Sequence, residues 1–167
     1  MSLQVQRQET VKQTKDKNMY KIYRTITGFS EPVLSMIMKS RLKKGKESPQ
    51  RYTEKFGISS KERPSGNIIW IHGASIGESQ SALILLKRIS EIHPDIHFLI
   101  TTGTLTSAKL MEQNLPPNAL HQFFPLDHPN YIQKFLKHWK PDMVLWMESE
   151  LWPNALREIK QRNIPAL

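Results

Sequence analysis

Ile68-Ile69-Trp70-Ile71-His72-Gly73-Ala74-Ser75-Ile76-Gly77-Glu78-Ser79 runs from an apolar stretch through a turn of small residues to a single acid where a helix should begin. Strand, turn and helix start in that order are the opening of an α/β unit. In an open α/β sheet ligands bind outside the carboxyl ends of the strands, so an acid at this point faces substrate space. Glu78 is therefore the first candidate for chemistry.

The same alternation continues down the chain. Short apolar runs at 67–72, 96–101, 120–124 and 143–147 are separated by helical patterns at 77–92, 104–114, 128–138 and 153–162. Strand alternating with helix predicts a parallel sheet with helices on both faces, and right-handed crossovers make it Rossmann-like. Residues 163–167 read as the approach to a further buried strand, so the chain is expected to be part of a longer protein.

Upstream the organisation changes. Residues 1–18 are rich in Gln, Lys and Thr and read as a disordered lead; 59–66 is a polar linker. Between them, within 19–58, Ile22, Tyr23, Ile26, Phe29, Val33, Leu34, Ile37, Met38 and Leu42 recur at helical spacing among Lys21, Arg24, Lys39, Arg41, Lys43, Lys44 and Lys46. This is a basic amphipathic helical segment with a bend expected at Pro32. Its apolar runs are far short of the roughly 20 residues a bilayer span needs. Its apolar face has two destinations, the protein's own core or a membrane interface.

Charge follows the same division. Residues 1–66 hold 15 Lys or Arg and 6 Asp or Glu, whereas 67–167 hold 9 of each, so the net +9 of the 167-residue chain is N-terminal. A basic stretch on a neutral body implies an anionic partner. Cysteine is absent, which excludes disulfides and thiolate metal sites, and no secretory signal opens the sequence.

Several positions carry both a functional and a plain reading. Glu78 in a first helical turn is either a proton acceptor or an ordinary stabiliser of the helix dipole. Glu148 and Glu150 follow the 143–147 strand, where they face the same cleft or cap the helix opened by Pro153. Thr102, Gly103 and Thr104 join a strand to a helix and offer N–H groups and hydroxyls to an anion, or simply an N-cap. Lys46 lies in the densest charge cluster, Lys44-Gly45-Lys46-Glu47 with Arg51, which reads as a solvated run or a phosphate contact. His93 and His97 fall at a loop and a strand start, so no metal site is assigned. Neither a dinucleotide fingerprint nor a P-loop is present.

Taken in order, Arg41-x-x-Lys44-Gly45-Lys46-Glu47, Arg51 with Glu54-Lys55-Phe56-Gly57, His72-Gly-Ala-Ser-x-Gly-Glu78, Thr101-Thr-Gly-Thr-x-Thr-Ser107, His121-Gln-Phe-Phe-Pro-Leu-Asp127 and Glu148-Ser-Glu-Leu-Trp-Pro-Asn154 resemble the N-terminal half of the 3-deoxy-D-manno-octulosonic acid (Kdo) transferases. The likeness runs from about Tyr20 to the last residue. It departs at Gly73, where Ala is expected, at Lys55, where Arg is usual, and at Phe123, where Tyr is common.

The resemblance implies the N-terminal, acceptor-side domain of a two-domain GT-B glycosyltransferase, here 67–167, with the CMP-sugar domain absent and this half inactive alone. It implies inverting transfer of Kdo from CMP-Kdo to a phosphorylated, acylated lipid A precursor in lipopolysaccharide biosynthesis, without a cofactor. By the same resemblance Glu78 is the general base, Glu148 a second catalytic acid with Glu150 beside it, and Ser75, Gly77, Lys46, Thr102, Gly103 and Thr104 contact substrate. The implied location is the cytoplasmic face of the bacterial inner membrane, held peripherally or monotopically against anionic lipid. The competing reading is a basic module binding nucleic acid or anionic membrane without catalysis. Against nucleic acid stand the balanced charge of the body and the lack of a helix-turn-helix or RNA-binding aromatic motif.

Overall fold

The computed structural model describes residues 18–73, 75–147 and 150–167; the lead expected at 1–18 lies outside these apart from Asn18. The order of elements is α1 (18–28), α2 (Glu31–Lys43), a 3-10 turn η1 (Tyr52–Phe56), β1 (Ile68–His72), α3 (Ile76–Ile92), β2 (His97–Thr102), α4 (Leu105–Asn114), β3 (Ala119–Phe123), α5 (Pro129–Trp139), β4 (Met143–Trp146) and α6 (Pro153–Gln161). The strands form one parallel sheet in the order β3-β2-β1-β4. Residues 165–167 continue it: Val144 N–H donates to Pro165 O at 2.8 Å, and Ala166 bridges Val144 in parallel.

Period-two alternation in the strands separates two cores. Ile68, Trp70, Leu99 and Val144 pack with Phe135, Leu136 and Trp139 of α5 and Ala155 and Ile159 of α6. Ile71, Phe98 and Ile100 face the other way, onto Ala82, Leu83 and Leu86 of α3 and Met111 of α4. A sheet buried on both faces explains the near-continuous apolar runs of its strands. The expected α/β Rossmann-like architecture is the one observed.

The amphipathic segment is broken where α1 gives way to α2 at Phe29–Ser30, and Pro32 sits in the first turn of α2, where a missing N–H costs nothing. α1 docks through polar contacts: Tyr23 OH donates to Asp127 Oδ2 at 2.9 Å, and Asn154 Nδ2 donates to Thr27 Oγ1 at 3.0 Å. Of α2, Met38 is buried and Leu34 half-buried. Ile22, Ile26, Phe29, Val33 and Met36 point outward at i, i+4, i+7, i+11 and i+14, with Phe29 82% exposed.

The loop before the sheet is pinned by η1. Gly57, at φ 76°, closes it in the left-handed region against α5, and a Cβ there would overlap the carbonyl oxygen of Tyr131. Gly66, at φ 87°, has open space around it. Gly66→Ala is expected to cost about 1–2 kcal/mol of backbone strain, and Gly57→Ala more than about 3 kcal/mol because overpacking is added. Urea denaturation of the two variants checks this; equal losses would refute the docking of η1 on α5.

Candidate functional site at the carboxyl edge of the sheet

β1 and β4 are neighbours, with His72 opposite Trp146, yet the chain leaves β1 for α3 on one face and β4 for α6 on the other. Such a switch in direction opens a crevice at the strand ends. Glu78 stands there, in the first turn of α3. Ser75 is the N-cap: its N–H donates to Glu78 Oε2 at 2.9 Å, and Glu78 N–H donates to Ser75 Oγ at 3.2 Å. This capping box holds a half-buried carboxylate at the crevice. Gly73 matters beside it, since a Cβ at that position would lie 3.2 Å from the Glu78 Cβ.

Below Glu78, His72 is 1% exposed, with Nδ1 2.9 Å from Thr101 Oγ1 and Nε2 without a partner among the described residues. Burial pushes its imidazole down to about 4, although the Thr101 carbonyl and the Glu78 charge act upward. His72 also lines a cleft of about 310 Å³ with Leu34, Ile37, Met38, Phe124 and Trp152. Arg41, Glu47, Lys55, Gly103 and Asp127 complete most of its wall.

A second polar group fastens this edge. The Glu54 carboxylate is fully buried and accepts from Arg51 Nε and Nη2, each at 2.9 Å, from Phe123 N–H at 2.7 Å, and from Ser60 Oγ. Arg51 also donates to His121 O at 3.0 Å, meets His121 Nδ1 at 2.9 Å and pairs with Glu112. With Nδ1 facing a guanidinium, the His121 proton is on Nε2, which donates to Thr102 Oγ1 at 2.9 Å. Burial first and Arg51 second push this imidazole down to about 2. On the far side, Asp127 accepts from Asn154 and Ala155 N–H at 3.0 and 2.9 Å and so caps α6; burial raises its carboxyl nonetheless.

The other sequence candidates are divided among these features. Gly103 lines the cleft, and its carbonyl accepts from Lys55 Nζ at 2.9 Å. Thr104 is the N-cap of α4, accepting from Ser107 N–H at 3.2 Å, while Thr102 is buried with its hydroxyl on His121. Gly77 and Ser75 are exposed in the α3 turn. Lys46 is exposed on a shallow groove with Met36, Ser40 and Lys44, outside the cleft. Glu150 is exposed and its carbonyl accepts from Trp146 Nε1 at 3.2 Å; Glu148 lies outside the described residues. Lys55, Glu54 and Asp127 were not singled out as site residues by sequence reasoning, which named Arg51 only as part of the charge cluster, although each falls in a block of the family likeness. Among the described residues no group of three or more His, Asp or Glu is placed to hold a metal, and no helix is long and apolar enough to cross a membrane.

The fold and its switch-point crevice define a Rossmann-like domain. Residues 50–167 match the family model described as 3-deoxy-D-manno-octulosonic-acid transferase (kdotransferase). Among curated proteins, the chain is 40% identical over 147 residues to a 3-deoxy-D-manno-octulosonic acid transferase of Rickettsia bellii, covering 87% of this chain and 35% of the relative. It is 37% identical over 147 residues to a probable mitochondrial 3-deoxy-D-manno-octulosonic acid transferase of Arabidopsis thaliana, covering 88% and 33%. A Haemophilus influenzae transferase of the same name is 34% identical over 119 residues, covering 70% and 27%. The chain belongs to the Kdo transferase family, and it spans about a third of the length of these relatives.

Both buried histidines have folded values below the ordinary 6.5, so unfolding takes up protons. Their contribution is complete above about pH 6.5 and is lost as pH falls towards about 4 for His72, and lower still for His121. Asp127, raised by burial, acts in the opposite sense. The urea midpoint is therefore expected to fall steadily from about pH 7 to about pH 5, and a flat profile would contradict two buried neutral imidazoles.

Proposed function

We infer that this chain forms the acceptor side of a GT-B transferase that moves Kdo from CMP-Kdo to a phosphorylated, acylated lipid A precursor with inversion. The observation that carries this reading is the Glu78 carboxylate, held by the capping box at the switch-point crevice of a Kdo transferase domain. In the proposed step the acceptor hydroxyl oxygen attacks the anomeric carbon, its proton passes to Glu78, and the bond to CMP breaks with its electron pair on the departing phosphate. The dipole of α3 favours the ionised, proton-accepting form of Glu78 at the start of the step. Donor binding belongs, in this reading, to the part of the relatives' length that the chain does not match.

Gln can replace Glu in a capping box but cannot accept the proton. In a full-length protein containing this chain, Glu78→Gln should therefore keep the thermal midpoint while turnover falls by about 10²–10⁴-fold. Turnover at the parent rate would remove Glu78 from the chemistry.

The same reading places the outward stripe of α1 and α2 in the headgroup region of the bacterial inner membrane, on its cytoplasmic side. The support is an exposed apolar row beside Lys39, Lys43, Lys44 and Lys46, whose charges each contribute about 1 kcal/mol near anionic lipid. Replacing Ile26 and Phe29 together by Ser should weaken sedimentation with anionic vesicles by more than about tenfold, since a buried side chain of this size is worth about 1.5–3 kcal/mol. Unchanged sedimentation would leave the stripe without this role.

A further inference from the structure

The cleft beneath α2 contains a buried ammonium with two of its three N–H donors unused among the described residues. Lys55 is 6% exposed, its Nζ donates to one carbonyl, that of Gly103, and it forms no ion pair among the described residues. An ammonium carries three N–H donors, and burying one without a counter-charge is costly. Glu47 and Glu54 draw its charge up and the Phe123 ring lies 5.1 Å from Nζ, yet none of them takes one of its N–H donors. Glu47 accepts from Arg41 at 2.6 Å, Glu54 from Arg51 and Phe123, and Asp127 from Tyr23, Asn154 and Ala155.

Two further observations point to a ligand. His72, fully buried in the same wall, keeps an Nε2 with no partner among the described residues, so either tautomer leaves it a hydrogen bond to make. Much of the remaining lining is hydrocarbon and aromatic: Leu34, Ile37, Met38, Phe124, Leu126 and Trp152. Gly103 brings the N-terminal end of α4 to the same edge, where the helix dipole favours negative charge.

We propose that this cleft is a subsite for an alkyl phosphate, with the phosphate on Lys55 Nζ and the hydrocarbon against Leu34, Ile37, Met38 and Trp152. It rests on the reading of the acceptor as acylated and phosphorylated, and it makes Lys55, rather than the exposed Lys46, the cation that meets the anion. Burial holds the Lys55 ammonium down to about 8, with Arg41 acting the same way and Glu47 and Glu54 opposing. Of the other groups facing it, His72 and His121 are neutral well below that range. An anion seated on Lys55 would restore its charge.

The test is calorimetric binding of hexyl phosphate, hexanol and inorganic phosphate to the 167-residue chain and to its Lys55→Met and Lys55→Arg variants. Hexyl phosphate should bind about tenfold or more tightly than either other probe. Lys55→Met should lose the preference over hexanol and keep hexanol binding. Lys55→Arg should keep the preference and abolish the loss of affinity that the parent shows as pH rises through about 8. Equal binding of hexyl phosphate and hexanol, or a preference that survives Lys55→Met, overturns the proposal. So does inorganic phosphate binding as well as hexyl phosphate, which would mean an anion site without an apolar part. No turnover is read, so failure here leaves the assignment of Glu78 standing, and an active Glu78→Gln enzyme leaves this subsite standing.

Discussion

The carboxyl edge of a parallel sheet is a row of strand ends whose backbone groups need partners, and in this protein the Glu54 carboxylate supplies the decisive one. It takes the N–H of Phe123, the last residue of β3, and binds Arg51 through both of its oxygens. Removing a carboxylate from water costs several kcal/mol, and a guanidinium in fork geometry together with further hydrogen bonds is what offsets it. Arg51 carries the linkage on to His121 and so to Thr102 of β2. Because Glu54 and Lys55 are adjacent, fixing the first against β3 places the second in the cleft, where its backbone oxygen accepts from Leu126 N–H at 2.9 Å. The strand ends, the 124–127 segment and the cleft wall thus share one anchor.

The opposite wall is anchored by Asp127. Its carboxylate caps α6 through the N–H groups of Asn154 and Ala155 and receives the hydroxyl of Tyr23 from α1. A carboxylate at a helix N-terminus is stabilised by the helix dipole, and this one also fastens the N-terminal helices to the domain. The consequence reaches α1 and α2: since α1 is held by Tyr23 and Thr27, its apolar row need not be spent on docking and faces outward. The face is divided: Met38 and Leu34 turn inward to the core, while Ile22, Ile26, Phe29, Val33 and Met36 are exposed.

The fold was legible because both faces of the sheet are buried. Each strand therefore appeared as a short run of apolar residues, and predicted and observed limits differ by one residue, as at His97–Thr102 and Ala119–Phe123. Glu78 was legible for a related reason, since the end of an apolar run and the start of a helical pattern locate the strand end without tertiary knowledge. Lys55 was not. It stands four residues after Arg51 and beside Glu54 in a segment of mixed charge, and nothing local distinguishes it from the solvated Lys46. Its burial is a product of η1 docking on β3 and α5, a contact between residues nearly seventy positions apart. The likeness to Kdo transferases marked the position as a departure from Arg, but composition and spacing gave that departure no meaning.

Geometry gives it one. An Arg at this site would bring a guanidinium that stays charged whatever surrounds it, with five donors in a fixed plane. Lys brings a compact ammonium whose charge is sensitive to burial, and here burial lowers it to about 8. Gly73 matters in the same crevice: a Cβ there would stand 3.2 Å from the Glu78 Cβ, a tight approach that Gly relieves. His72 lies at the end of β1, before the α3 turn that carries Glu78, and lines the cleft that holds Lys55. His72 registers both charges, Glu78 drawing its imidazole up and Lys55 pushing it down. The acid of α3 and the buried ammonium act on this imidazole in opposite directions, and burial remains the first cause of its low value.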